Sequence, residues 1–187
     1  LNALDQTGRA DNTVVVLTAD HGEGRGRHQH VQMWYPYEES VKVPMVVSCP
    51  GRAAEGVIDR EHLISGVDVM STFCDYAKTA PPADCVGRSL RPLLEQNPTE
   101  WREFVSSEHH QIGRMLRTAQ YKYVRYEGDP VEQLFDIQAD PWETKNLYQD
   151  ASLADVVRDH GKMLDDWQAT LKPVEPMPDV SRRRRRS

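Results

Sequence analysis

The sequence predicts an α/β protein in two unequal parts. Residues 1–97 read as a strand-and-helix portion, 98–172 as a small α+β unit, and 173–187 as a disordered Pro- and Arg-rich tail. Three observations carry this division. A valine-rich run, Val14–Leu17, ends in Thr-Ala-Asp-His-Gly, the pattern of a strand buried on both faces of a parallel sheet and opening onto a crevice. Three short segments between 103 and 126 lie at antiparallel-strand spacing. Leu153, Val156, Val157, His160, Leu164, Trp167 and Leu171 mark one face of an amphipathic helix.

Length and composition set the frame. A chain of 187 residues buries one sizeable core, or one domain with a small companion. No apolar run approaches the roughly 20 residues needed to span a bilayer. The formal charge is −6, and removing the five arginines of Arg182–Arg186 leaves −11. So acidic a body excludes broad nucleic-acid binding, which needs a basic surface. The three cysteines, at spacings of 25 and 11, form no metal or redox pair, and Cys74 reads as a buried small hydrophobe. The chain starts at Leu1 in what reads as the end of a helix, as expected of a piece of something longer. The compartment stays open, with periplasm or secretion compatible.

In chain order, Gly22, Gly24 and Gly26 make a loop carrying Glu23, Arg25, Arg27, His28 and His30. If His28-Gln29-His30 is extended, both imidazoles share one side. Pro44 interrupts the next β-branched run and delays strand pairing to Met45–Val47. Residues 68–77 carry apolar positions at helical spacing, with Asp68 as the N-cap and Pro81-Pro82 as the stop. Residues 88–95 read as a turn and short helix. Strands follow at Glu103–Ser107, Arg114–Thr118 and Tyr121–Tyr126, with a fourth candidate at Leu134–Asp136. His160 sits on the packed stripe of the last helix, a structural position.

Asp20 and His21 are the candidate metal ligands. A carboxylate and an imidazole side by side can reach one divalent cation where the backbone kinks, and Gly22 makes the kink cheap. Oxygen ligands suit Ca²⁺, Mg²⁺ or Mn²⁺, while imidazole draws towards Zn²⁺ or Mn²⁺. Two ligands do not complete a site, and no other cluster in the chain has convincing spacing. His28 is the candidate catalytic group, able to bind an anionic oxygen or protonate a leaving group. Glu108-His109-His110 is a candidate substrate-facing loop.

These residues resemble the second half of a sulfatase of the arylsulfatase type, in the alkaline phosphatase superfamily. The resemblance rests on Thr18-Ala-Asp-His-Gly-Glu23, His28, Tyr37-Glu-Glu-Ser-Val-Lys-Val-Pro44 and Pro50-Gly51. It continues through Gly66–Phe73, Gly87-Arg-Ser-Leu-Arg-Pro-Leu-Leu94, Arg114–Tyr123 and Glu132–Leu147, the last with its Asp-Pro-x-Glu-x-x-Asn-Leu pattern. It implies part of an alkaline-phosphatase-like sheet sandwiched by helices, plus a small carboxyl-terminal antiparallel sheet with a packing helix. It implies sulfate ester hydrolysis, with Asp20 and His21 on the metal (Ca²⁺ first, then Mg²⁺, Mn²⁺ or Zn²⁺) and His28 facing the sulfate or its leaving oxygen. His109 and His110 would border the pocket for a sulfated carbohydrate or other sulfate ester.

Two departures stand out. Met33 occupies the position of a sulfate-facing lysine, so Arg25, Arg27 or Lys42 would have to supply that charge. The formylglycine nucleophile, made from a Cys/Ser-x-Pro-Ser/Ala-Arg motif, is absent. Ser48-Cys-Pro-Gly-Arg52 has glycine at the critical place and reads as a strand-exit turn. The nucleophile is therefore expected in a missing amino-terminal half, which would be the chain's partner, and the chain alone is expected to be inactive and poorly soluble. A phosphatase, phosphonate hydrolase or phosphomutase of the same superfamily, or a non-catalytic binding remnant, are the alternatives.

Overall fold

The computed structural model describes residues 1–30, 32–97, 99–109 and 113–172. A short helix α1 (Asn2–Gln6) leads into strand β1 (Val15–Leu17), and a single helical turn α2 (Glu38–Val41) precedes strand β2 (Val46–Ser48). Pairing in β2 starts after Pro44, as the missing amide requires. The expected parallel pairing of β1 is corrected. It pairs antiparallel with β2, placing Val15 opposite Ser48 and Leu17 opposite Val46. Nor is β1 buried on both faces, since Leu17 is 60% and Val46 58% exposed.

Helix α3 (Asp68–Tyr76) and helix α4 (Arg91–Leu94) follow the periodic segments. Asp68 is the first helical residue rather than the N-cap, which falls on Val67. Its fully buried carboxylate accepts two bonds from the Arg102 guanidinium, at 2.8 and 2.6 Å, and the amides of Ser65 and Arg88, both at 2.8 Å. This saturated carboxylate ties the first portion to the segment that enters the sheet, an arrangement that repays the cost of burying a charge. Cys74 is half-buried; Cys49 is the buried cysteine.

The second portion is a four-stranded antiparallel meander: β3 (Phe104–His109), β4 (Gly113–Thr118), β5 (Tyr121–Tyr126) and β6 (Gln133–Asp136), in that spatial order. Helix α5 (Ala154–Ala169) covers one face, where Leu116, Tyr123, Leu134 and Leu164 form a core at 0–1% exposure. His160 is packed as its stripe position implies, accepting or donating across 3.1 Å to the Thr118 hydroxyl and bonding the Val156 carbonyl. The opposite face carries Met115, Lys122, Val124 and Phe135, all buried. Something covers that face too, and the covering segment is the loop around α2, with Tyr37 against Phe135 at a 6.0 Å ring separation. Among the described residues no helix is long and apolar enough to cross a membrane.

Candidate functional site

Asp20 and His21 leave the end of β1 and are pinned from behind. The Gly22 amide donates to the Ser40 carbonyl at 2.8 Å and the Glu23 amide to the Glu39 carbonyl at 2.9 Å. The two segments approach so closely that a Cβ on Gly22 would lie 2.0 Å from the Glu39 oxygen, so only glycine fits. The side chains themselves remain open, His21 at 40% and Asp20 at 88% exposure. The imidazole Nδ1 lies 2.7 Å from the Gly22 carbonyl, which can only accept, so Nδ1 carries the proton. In the neutral ring this leaves Nε2 as a bare lone pair, 3.7 Å from the Asp20 carboxylate. A metal-ligating histidine is held in this way, with its other nitrogen donating to a carbonyl. The pair fits a divalent cation as part of a ligand set. Among the described residues no third His, Cys, Asp or Glu joins it.

The pair lines a cleft of about 1300 Å³ that also exposes Met33, Lys42, Glu108 and His109. His109 donates from Nε2 to the Met33 carbonyl, so the loop after β1 and the end of β3 meet there. His110 lies outside the described residues, as does the tail at 173–187. Among the described residues Lys42 is the only lysine or arginine lining the cleft. Arg27 is instead stacked on the Trp142 ring at 3.9 Å.

His28 is placed differently from the extended arrangement the sequence suggests. Residues 27–29 form a 3₁₀ turn with His28 at φ 49°, so the two imidazoles do not share a strand face. The His28 ring stacks on Tyr37 at 3.7 Å and 5°. Its Nε2–H donates to the Trp142 carbonyl at 3.0 Å and its Nδ1 meets the Glu39 carboxylate at 2.9 Å. It does not line the cleft with Asp20 and His21. His30 stacks on Tyr35 at 4.0 Å, which continues the same aromatic ladder.

Two features of the site are hidden in the sequence. Asp59 and His62 line the cleft as a hydrogen-bonded pair at 2.8 Å. Their three-residue spacing was the available signal, but it is common in turns. The second is a buried charge cluster under the loop. Lys122 Nζ, fully buried, donates to the Pro36 carbonyl at 2.8 Å and to Glu38 at 3.1 Å, and pairs with Glu143 at 2.5 Å. Glu143 in turn accepts from the Glu38 amide at 2.6 Å. Burial pushes the Glu143 carboxyl above its ordinary range, against the pull of Lys122. Ser48-Cys-Pro-Gly-Arg52 is a plain strand exit: Ser48 is paired with Val15, and the Cys49 carbonyl accepts the Arg52 and Ala53 amides.

Comparison with known proteins converges on one family. The model of the N-sulphoglucosamine sulphohydrolase carboxyl-terminal family matches residues 26–170. A Δ4,5-hexuronate-2-O-sulfatase of Bacteroides thetaiotaomicron is 35% identical over 179 residues, covering 89% of this chain and 37% of that protein. A 2-O GAG sulfatase structure superposes with a TM-score of 0.81 at 32% identity, covering 94% of this chain and 42% of that one. A phosphonate monoester hydrolase of Agrobacterium radiobacter superposes with a TM-score of 0.79 at 27% identity, over 90% of this chain and 37% of that one. The chain thus spans little more than a third of the curated relative it matches. With the family model covering most of its length, and with the motifs of the β1 exit and the terminal sheet in the same order, the chain belongs to the sulfatase family as a carboxyl-terminal region of the N-sulphoglucosamine sulphohydrolase type.

Proposed function

We propose that the protein carrying this chain hydrolyses sulfate esters of carbohydrates, with Asp20 and His21 supplying part of a divalent-metal site. The observation behind this reading is the fixed tautomer of His21, whose Nδ1 is committed to the Gly22 carbonyl while Nε2 lies open beside Asp20 at the cleft. Ca²⁺ is the first candidate, followed by Mg²⁺, Mn²⁺ or Zn²⁺. A bound ion would offset the charge of the sulfuryl oxygens. Lys42 supplies the positive charge that Met33 lacks, because among the described residues it is the basic side chain lining the cleft. His109, which lines the cleft, borders the substrate. His28 is the candidate general acid; held by Glu39 and the Trp142 carbonyl outside the cleft lining, it would have to release the Trp142 contact and turn into the cleft to serve.

The attacking group is a formylglycine from outside this chain, since residues 1–187 contain no Cys/Ser-x-Pro-Ser/Ala-Arg sequence. Sulfated uronate sugars are the substrate class, by analogy with the hexuronate sulfatase relative. The second reading is a phosphonate monoester hydrolase, favoured by the similarity to the Agrobacterium enzyme. The test is release of sulfate from a 2-O-sulfated uronate disaccharide and an aryl sulfate, against hydrolysis of a phosphonate monoester, by the full-length protein. Sulfate release that falls at least about a hundredfold in D20N supports the proposal. Preference for the phosphonate, or two bound zinc ions by elemental analysis, overturns it.

A further inference from the structure

We infer that Lys122 and Glu143 are positioning residues for the Asp20–His21 pair, acting from the carboxyl-terminal sheet through the α2 turn. The inference rests on the metal reading for its purpose but not for its geometry. The path is continuous. Lys122 projects from β5 on the face away from the Leu116–Tyr123–Leu134–Leu164 core, and is fully buried there. It holds the Pro36 carbonyl and the Glu38 carboxylate, one at each side of Tyr37. Glu143 completes the clamp by pairing with Lys122 and accepting the Glu38 amide. Glu38 opens α2, and the carbonyls of Glu39 and Ser40 in that turn receive the amides of Glu23 and Gly22, the two residues that follow His21. The clearance at Gly22 leaves no slack in this contact.

The neighbouring residue of the same turn reinforces the connection. Trp142, one residue before Glu143, gives its carbonyl to His28 and its ring face to Arg27, while Glu39 holds the other side of the His28 ring. The turn that carries Glu143 therefore grips the loop after β1 at its middle, through Arg27 and His28, and at the α2 turn that closes it.

The charge pattern explains why this requires buried ions. Arg117 and Lys122 lie directly opposite each other on β4 and β5, which by itself repels. Glu38 lies 3.1 Å from Lys122 and 3.8 Å from Arg117, and Glu143 supplies the second negative charge. Asp136 on β6 also acts on Arg117, but Lys122 has both of its counter-charges only when α2 and the 140–144 turn are both seated. Apolar side chains could cover this face of the sheet, but they would not fix the register of the α2 turn; a hydrogen-bonded ion cluster does.

The experiment compares the full-length wild-type protein with K122M, E143Q and L164A, by hydrogen exchange over a peptide spanning 18–27 and by Mn²⁺ titration. Leu164 belongs to the opposite face of the sheet, so L164A lowers stability without touching the clamp. E143Q keeps the shape of the side chain and serves if K122M does not fold. The inference predicts exchange over 18–27 faster by about tenfold or more in K122M and E143Q, with Mn²⁺ affinity reduced about 10–100-fold. L164A is expected to leave both at wild-type values at temperatures where it remains folded. Unchanged exchange over 18–27 in both clamp variants overturns the inference, as does an equal acceleration in L164A. Faster exchange in a protein that binds neither Ca²⁺, Mg²⁺, Mn²⁺ nor Zn²⁺ even as wild type sinks the metal reading alone and leaves the positioning role standing.

Discussion

The two sheets among the described residues are opposite in construction. The meander β3–β6 makes its own core with α5, and its central residues are withdrawn from water. The ribbon β1–β2 has two strands of three residues each and leaves Leu17 and Val46 more than half exposed. A two-stranded ribbon of that size is marginal in water. Yet the candidate metal pair sits on the ribbon, not on the meander. The difference teaches that order at this site is borrowed: the finished sheet holds the loop that the unfinished one carries, through Lys122, Glu38 and Glu143.

The largest expected effect comes from breaking that loan. K122M removes the cation shared by Glu38 and Glu143 and leaves two carboxylates buried or half-buried without it, a loss of about 3–5 kcal/mol for a broken buried pair. Urea denaturation checks it. The K122M/E143Q double variant is expected to recover part of the loss, because one orphaned charge is gone. A double variant less stable than K122M would mean that the charges matter less than the side-chain packing. L164A comes next, at about 2–5 kcal/mol from the cavity left at a fully buried site, read from the same urea midpoints. An L164A cost near zero would remove the contrast between a self-sufficient meander and a dependent ribbon.

A smaller effect is set by pH. Asp136 closes β6, and the Ala139 amide, with the Gln120 side chain and the Gln138 amide, holds its carboxyl below the ordinary value of 3.8. The folded value lies under the unfolded one, so the stabilisation is complete above about pH 4 and disappears as pH falls through the folded value. D136N should therefore be less stable than wild type at neutral pH, with the two urea midpoints converging below pH 3.8. A gap that persists at low pH would show that Asp136 contributes as a hydrogen-bond acceptor of either charge state.

Legibility in the sequence followed the range of the forces. The hairpin at Ala119-Gln120, the amphipathic α5 stripe and the strand delay after Pro44 are local patterns, and each is where the residues imply. The direction of β1 was not legible: a Val-rich run fits either pairing, and its partner lies some 30 residues away. The turn at His28 was not legible, because an αL residue inside a 3₁₀ turn leaves no mark on a non-glycine side chain. Lys122 is the deepest concealment. A lysine between two tyrosines in a strand reads as the solvent face, and only the seating of α2 and Glu143 on that face makes it the interior. The Asp-Pro-x-Glu pattern was visible as a motif, but nothing in one chain's order says that its glutamate meets a lysine 21 positions earlier.

The smallest expected effect is the most telling about the ribbon. Val46 faces Leu17 across β1–β2 with both side chains largely in water. V46T keeps the β-branch, hence the strand preference, and places a hydroxyl where solvent already reaches. In the 187-residue chain its stability change should stay within about 0.5 kcal/mol, well under that of L164A. A parent as long as the hexuronate sulfatase relative, of which the match covers 37%, has the remaining length with which to cover the ribbon. If that remainder packs on Val46, the same V46T buries an unpartnered hydroxyl and costs about 1–3 kcal/mol there. Urea midpoints of V46T in the two contexts separate the cases. A neutral result in both would make the exposed ribbon face a true solvent surface, and the dependence of the Asp20–His21 loop on the meander would then hold in the whole protein as well as in this chain.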